Sequence, residues 1–151
     1  MQQKAKNSRI ILGENFLDLL LDSMAGGVFA LDKEGKINLW NRAMEKISGY
    51  SADEVMGSSC EVLSFNLWVG KRYPHGYGEC GIFQHGSVEG VECHLRHKDG
   101  HSVPVLKNAK LVQDDHGETL GVVETVTDLT ELQNTKQQFE EISRKLGEAH
   151  Q

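Results

Sequence analysis

Histidine and cysteine side chains are concentrated in one short stretch of the chain, "RYPHGYGECGIFQHG". Its His75, Cys80 and His85 are the imidazole and thiol types that bind zinc, haem iron or iron–sulfur clusters. The other cysteines, Cys60 and Cys93, are too far from Cys80 in the sequence to form a C-x-x-C pair. A metal or cofactor site would therefore have to be assembled by the fold.

Two other kinds of chemistry fit this stretch less well. Its "GYGECG" matches G-x-G-x-x-G, but that fingerprint binds dinucleotides where it follows a buried strand, and here it follows the polar segment "GKRYP". Cys80 with His75 or His85 resembles a nucleophile pair, yet the sequence offers no recognisable orienting acid or oxyanion loop. We therefore predict that the chain is not an enzyme.

The composition limits the remaining classes of function. A chain of 151 residues with 38% hydrophobic residues supports one core. A net charge of -6 and a pI near 5.6 favour neither nucleic-acid binding nor an anionic membrane surface. No apolar run approaches the roughly 20 residues that span a bilayer, and no signal peptide is visible. The few scattered cysteines favour reduced thiols and the cytoplasm.

The elements that must position these side chains alternate between strands and short helices. An amphipathic helix is predicted over residues 8–24, followed by a hairpin in "GVFALDKEGKINLWN". Two short helices follow, capped by Asn41 and by a Ser51–Glu54 capping box. Residues 90–128 then predict three strands joined by the turns "KDG" and "DDHG". The pattern indicates an α+β fold.

The pattern changes after Asp128 to a heptad repeat. The apolar positions are Leu132, Phe139, Ile142 and Leu146. Because two heptads are marginal alone, we expect this helix to extend beyond residue 151 and to pair with a second copy, forming a homodimer. The alternative is a terminal helix folded back on its own domain.

This order of elements resembles a PAS domain with its C-terminal PAC segment, over residues 22–131. The segments that carry the resemblance are "GVFALDKEGKINLWNRAMEKISGYSADEVMG", "RHKDGHSVPV" and "DDHGETLGVVETVTDLTE". It implies a sensory role and a five-stranded antiparallel sheet in the order 2-1-5-4-3, with short helices on one face enclosing a cavity. Residues 1–21 and 132–151 are then flanking helices.

The tail "ELQNTKQQFEEISRKLGEAHQ" resembles the linker that precedes the ATPase domain of sigma-54-dependent activators. That resemblance implies a transcription regulator whose ATPase and DNA-binding parts lie beyond residue 151. The alternatives are the sensor of a histidine kinase or diguanylate cyclase, or a PAS dimerisation module without a ligand.

On a PAS framework the three cysteines fall around one cavity: Cys60 begins the helical segment, Cys80 lies on the last helix and Cys93 points inward. A zinc or iron–sulfur site would then need His75, His85 or a carboxylate as a further ligand. His85 could instead be the axial ligand of haem, whereas "GSSCEVLSF" lacks the N-C-R-F-L-Q context of light-sensing flavin domains. The alternative is that the thiols are small buried hydrophobes without a cofactor. The remaining histidines are predicted to face solvent, including His94, His97, His101 and His116.

Lys107 and Glu124 are the candidate ligand anchors. If "DDHG" forms a two-residue turn, counting back places Lys107 directly opposite Glu124. The resemblance implies that Glu124 and Val126 face the cavity, where Lys107 could bind the carboxylate of a small-molecule effector. The alternatives are a structural ion pair, or a one-residue change of turn that sends both side chains to solvent.

The "DLT" triplet occupies the place in which PAS domains pass into a signalling helix. Asp128 can accept hydrogen bonds from Thr130 or from nearby backbone amides, which would couple the last strand to the helix. The same bonds would also serve a simple helix cap.

Overall fold

The structure, a computed structural model, describes residues 13–65, 67–68, 71–72 and 87–149. The helices are α1 Gly13–Ser23, α2 Arg42–Ser48, α3 Ala52–Val55 and α4 Thr130–Ala149, with a 3-10 helix at Cys60–Leu63. The strands are β1 Gly27–Asp32, β2 Ile37–Trp40, β3 Leu67–Trp68, β4 Lys71–Arg72, β5 Ser87–Arg96, β6 Ser102–Gln113 and β7 Thr119–Asp128.

Five of the strands form one antiparallel sheet in the order β2-β1-β7-β6-β5. If only these five strands are numbered in chain order, the sheet has the order 2-1-5-4-3, so the predicted PAS topology is confirmed. The short strands β3 and β4 pair separately with each other. The sequence did not predict them, because two-residue strands are too short to show an alternating pattern.

The core lies between one face of the sheet and the short helices. Its largest fully buried apolar side chains come from β1, β2, α2, α3, the 3-10 helix and the strands β5, β6 and β7. They include Phe29, Leu31, Ile37, Met44, Leu63, Leu95 and Val122. The predicted capping box is present, since the Ser51 side chain accepts from the Glu54 amide while the Glu54 carboxylate accepts from the Ser51 amide.

Asn41 joins three elements through hydrogen bonds that use its whole amide. Its Oδ1 accepts from the Val28 and Met44 amides at 2.9 and 3.0 Å, and its Nδ2 donates to the carbonyls of Leu21 and Gly26 at 2.9 and 3.1 Å. The side chain is buried, so these bonds replace the water that it loses on folding. Asn41 therefore fixes α1 and β1 to the start of α2, beyond the helix cap that the sequence predicts.

The two terminal helices differ from the rest of the fold in their exposure. Residues 15–20 of α1 and residues 131–148 of α4 are all exposed. The alternative in which the terminal helix folds back on its own domain is thus wrong. None of the described helices is both long enough and apolar enough to cross a membrane.

Candidate ligand-binding and relay site

Two oppositely charged side chains are buried at the centre of the sheet. Lys107 on β6 and Glu124 on β7 are only 1% and 2% exposed. Nζ of Lys107 lies 2.9 Å from Oε1 of Glu124. Ionised groups are rarely buried unless they are paired, because each loses its hydration. The pair occupies the inner face of the sheet.

The predicted register of this pair is wrong by two residues. Lys107 lies opposite Val126, and Glu124 lies opposite Ala109. The turn is one residue longer than predicted, since Asp114 pairs with Glu118, and a bulge near Gln113 adds a second shift. Because side chains alternate between the two faces of a strand, a shift of two leaves Lys107 and Glu124 on the same face. Their side chains meet diagonally across the two strands.

The ammonium group of Lys107 has an aromatic and sulfur environment besides the carboxylate. Its Nζ lies 4.0 Å from the centroid of the Phe65 ring, a cation–π distance. Burial acts most strongly and would lower the pKa of Lys107. The charge of Glu124, its contact with Nζ and the nearby Cys60 and Cys93 outweigh that effect, so the pKa of Lys107 is raised. The lysine therefore stays protonated in the folded protein.

Glu124 is less completely satisfied than its partner. Within the described part of the chain, no hydrogen-bond donor is well aligned with its buried Oε1, although Lys107 lies within ion-pair distance. A buried carboxylate oxygen in this state has capacity for a further donor. The arrangement thus provides a cation and an acceptor side by side on the inner face of the sheet.

The predicted cofactor ligands are only partly within the described residues. Cys60 begins the 3-10 helix, Cys93 lies on β5, and both side chains are buried. Burial raises the pKa of Cys93, which favours the neutral thiol over the thiolate that binds metal. Cys80, His75 and His85 lie outside the described residues. A metal, haem or iron–sulfur role for this set stays a prediction.

The strand that carries Glu124 leads directly into α4. Val126, two residues on, is fully buried opposite Lys107, and Asp128 follows two residues later on the same face. Oδ1 of Asp128 accepts from the Thr130 amide at 2.9 Å and from the Thr130 hydroxyl at 2.6 Å. The Leu129 amide donates to the carbonyl of Pro104 at 2.8 Å, so the ladder to β6 continues up to the helix. The last strand and the first turn of α4 are one continuous hydrogen-bonded unit.

One group of histidines departs from the prediction. His94, His101 and His116 are exposed as expected, but His97 is half-buried. Its ring lies beside the ring of His101 and close to Asp99. The sequence signal that could have found this cluster is H-x-D-x-H spanning a tight turn.

Comparison with known proteins identifies the fold of this chain. The family model for the PAS fold matches residues 15–129. The signal transduction histidine-protein kinase AtoS of Escherichia coli (strain K12) is 26% identical over 135 residues, which are 87% of this chain and 21% of AtoS. This chain thus spans about a fifth of that relative.

Solved structures share the fold at lower identity. A PAS domain from Colwellia psychrerythraea superposes with a TM-score of 0.61 at 19% identity, covering 78% of this chain and 97% of that one. The light-state dimer of the fungal blue-light photoreceptor Vivid gives a TM-score of 0.56 at 20% identity, covering 70% and 78% of the two chains. With the matched family model and the 2-1-5-4-3 sheet, these likenesses show that the chain belongs to the PAS-fold family.

Proposed function

We propose that this PAS domain is a non-catalytic cytoplasmic sensor that binds a small carboxylate at Lys107 and relays the bound state through Asp128 into α4. The observation that carries the proposal is the buried pair between Lys107 on β6 and Glu124 on β7, the strand that leads into α4. An ion pair with only a structural role would add little to the free energy of unfolding, since replacing a buried pair by apolar side chains is often neutral or stabilising.

The ligand class follows from the charges. Lys107 is a cation with three donors, since its pKa is raised, and a ligand carboxylate can take the place that Glu124 now holds. The displaced Glu124 would then accept from a hydroxyl or amide of the same ligand. A small hydroxy- or amino-substituted carboxylate satisfies both groups at once.

The relay follows from the strand geometry. Glu124, Val126 and Asp128 share one face of β7, so Glu124 and Asp128 are about 13 Å apart along the strand. A ligand that separates Lys107 from Glu124 changes the spacing of β6 and β7 at this point. The Asp128–Thr130 hydrogen bonds transmit that change to α4.

The exposed stripe of α4 supports a homodimer. Leu132, Phe139, Ile142 and Leu146 are each between 58% and 71% exposed and follow the heptad spacing. The exposed apolar residues of α1, among them Phe16, Leu17 and Leu20, extend the surface available for pairing. The Vivid structure shows a protein of this fold as a dimer.

The output domain is part of the proposal. The likeness to AtoS favours a histidine kinase as the output. A sigma-54-activating ATPase controlling transcription is supported by the resemblance of the tail alone. Both outputs use the same dimeric helix, so the sensing mechanism does not depend on the choice.

Thermal unfolding with a panel of carboxylates tests the ligand proposal. The probes are acetate, succinate, malate, citrate and glutamate, each compared with sodium chloride at equal ionic strength. We expect at least one to raise the Tm of the wild type and of Lys110→Met, a matched control that removes an exposed lysine from the same strand. Lys107→Met should show no rise.

A second variant guards against misfolding of Lys107→Met. Glu124→Gln keeps the lysine and removes its competitor, so its response to the active carboxylate should be at least as large as that of the wild type. A wild type that no carboxylate stabilises, or a response that survives in Lys107→Met, would refute the anchor role.

Analytical ultracentrifugation tests the dimer. Phe139→Glu places a charge in the stripe and should yield a monomer, while Gln138→Glu adds the same charge at the neighbouring exposed position and should remain dimeric. Equal masses for the two variants would contradict pairing through α4.

A further inference from the structure

The tip of the hairpin between β5 and β6 brings three potential metal ligands together. His97, Asp99 and His101 each offer one ligand atom, and these atoms all lie within 4.8 Å of one another. Nδ1 of His97 lies 3.3 Å from Oδ1 of Asp99, and Nδ1 of His101 contacts the same oxygen. The cluster is separate from the Lys107–Glu124 pair: it lies at the end of the hairpin, where Asp99 and His101 are exposed to solvent, whereas the pair is buried.

The turn holds these atoms in place without an ion. The His97 amide donates to the His101 carbonyl at 2.8 Å, and the Gly100 amide donates to the His97 carbonyl at 2.9 Å. Gly100 has a φ of 102°, which suits glycine alone, so the turn is closely specified. The two imidazole rings stack with centroids 4.6 Å apart. The turn therefore fixes the backbone of the three residues, and binding of one ion requires only rotation of the exposed His101 and Asp99 side chains.

The base of the turn is anchored to the helical layer. The His97 side chain is 22% exposed, and its ring lies so close to Gly49 that a Cβ there would meet it at 2.4 Å. The Lys98 amide donates to the Ser48 carbonyl at 2.8 Å, and the Lys98 ammonium pairs with Glu54. The cluster thus sits on a braced element rather than on a free loop.

We propose that His97, Asp99 and His101 form a surface site for a divalent transition-metal ion of the zinc class. Two imidazoles and one carboxylate are a ligand set that such ions take up, with an open position for water. Zinc bonds of 2.0–2.1 Å at a tetrahedral angle place neighbouring ligand atoms about 3.3 Å apart, which is the His97–Asp99 separation, whereas Nδ1 of His101 must move away from Asp99 to reach that spacing. The ion replaces the 3.1 Å hydrogen bond that the Asp99 amide now donates to Nδ1 of His97.

Calorimetric titration of tag-free protein with zinc chloride tests this site. The wild type should bind one ion per chain. His101→Asn removes an exposed ligand and its stacking contact with His97 but leaves the half-buried His97 side chain in the protein, and it should weaken zinc binding at least about tenfold. His116→Asn is the matched control. His116 follows Asp114 in the turn between β6 and β7, and the sequence has no second histidine in that turn. This variant should bind as the wild type does.

X-ray absorption at the zinc edge separates this site from the buried thiols. Nitrogen and oxygen ligation without sulfur supports the hairpin site. Sulfur in the coordination shell, undiminished affinity in His101→Asn, or a wild type that binds no stoichiometric zinc would each overturn it.

Discussion

Two buried polar sites in this domain are built on opposite principles. Asn41 makes four hydrogen bonds with protein groups and has no capacity left over. Glu124, equally buried, keeps an oxygen without an aligned donor among the described residues, beside a lysine whose pKa is raised. Full satisfaction makes Asn41 a structural joint, whereas under the proposed function the Glu124 oxygen is the place where a ligand adds a bond.

The largest effect is expected at the satisfied site. Asn41→Ala leaves two buried amides and two carbonyls without their partners, so we expect a loss of about 4 kcal/mol in the free energy of unfolding. Urea denaturation measures it, with Asn38→Ala, at an exposed position on β2, as the control. A loss below about 1 kcal/mol would mean that Asn41 is no more than a helix cap.

A smaller but more telling effect is expected at the ion pair. Lys107→Met leaves a buried carboxylate without its cation and should cost about 3 kcal/mol. The double variant Lys107→Met/Glu124→Leu removes both charges, and its stability should return to within about 1 kcal/mol of the wild type. If the double variant is as unstable as the single one, the pair has a structural role comparable to that of Asn41.

The smallest effect is expected on the alkaline side of the stability profile. Because the pKa of Lys107 is raised above the ordinary lysine value of 10.5, its contribution is complete below that pH and is lost as the pH rises through the higher folded value. Burial of Cys93 acts in the same direction, since its pKa is also raised. Stability should therefore fall more steeply above pH 10 in the wild type than in Lys107→Met/Glu124→Leu. Parallel profiles from urea titrations at several pH values would count against the ion pair.

Local signals in the sequence predicted the helix caps and hairpin turns of this fold, whereas the strand order was implied by the resemblance to PAS domains. The caps at Asn41 and Ser51 and the turns of the hairpins depend on neighbouring residues, and the structure contains them. The register of β6 and β7 could not be derived, because it depends on a bulge near Gln113 that no short motif marks. The inward position of Lys107 and Glu124 survived that error only because two shifts of one residue restore the parity of the strand.

The cluster of His97, Asp99 and His101 was missed by the sequence analysis for a different reason. Strand alternation treats His97 and His101 as separate outward residues, yet the turn places them opposite each other and stacks their rings. Such a cluster forms because the hairpin turn brings the two strand ends together, which the alternation of polar and apolar residues along a strand does not reveal. Searching turns for ligand pairs at their two ends would have found it.

If α4 relays the bound state as proposed, its length determines how far its end moves. Its 20 residues extend about 30 Å from the point where β7 ends, and only Leu129 separates strand from helix. A helix fixed at its base behaves as a lever arm, so a tilt of about 5° at Thr130 moves the far end by about 2.6 Å. That displacement exceeds a carbon–carbon bond and suffices to change which side chains interlock between paired helices.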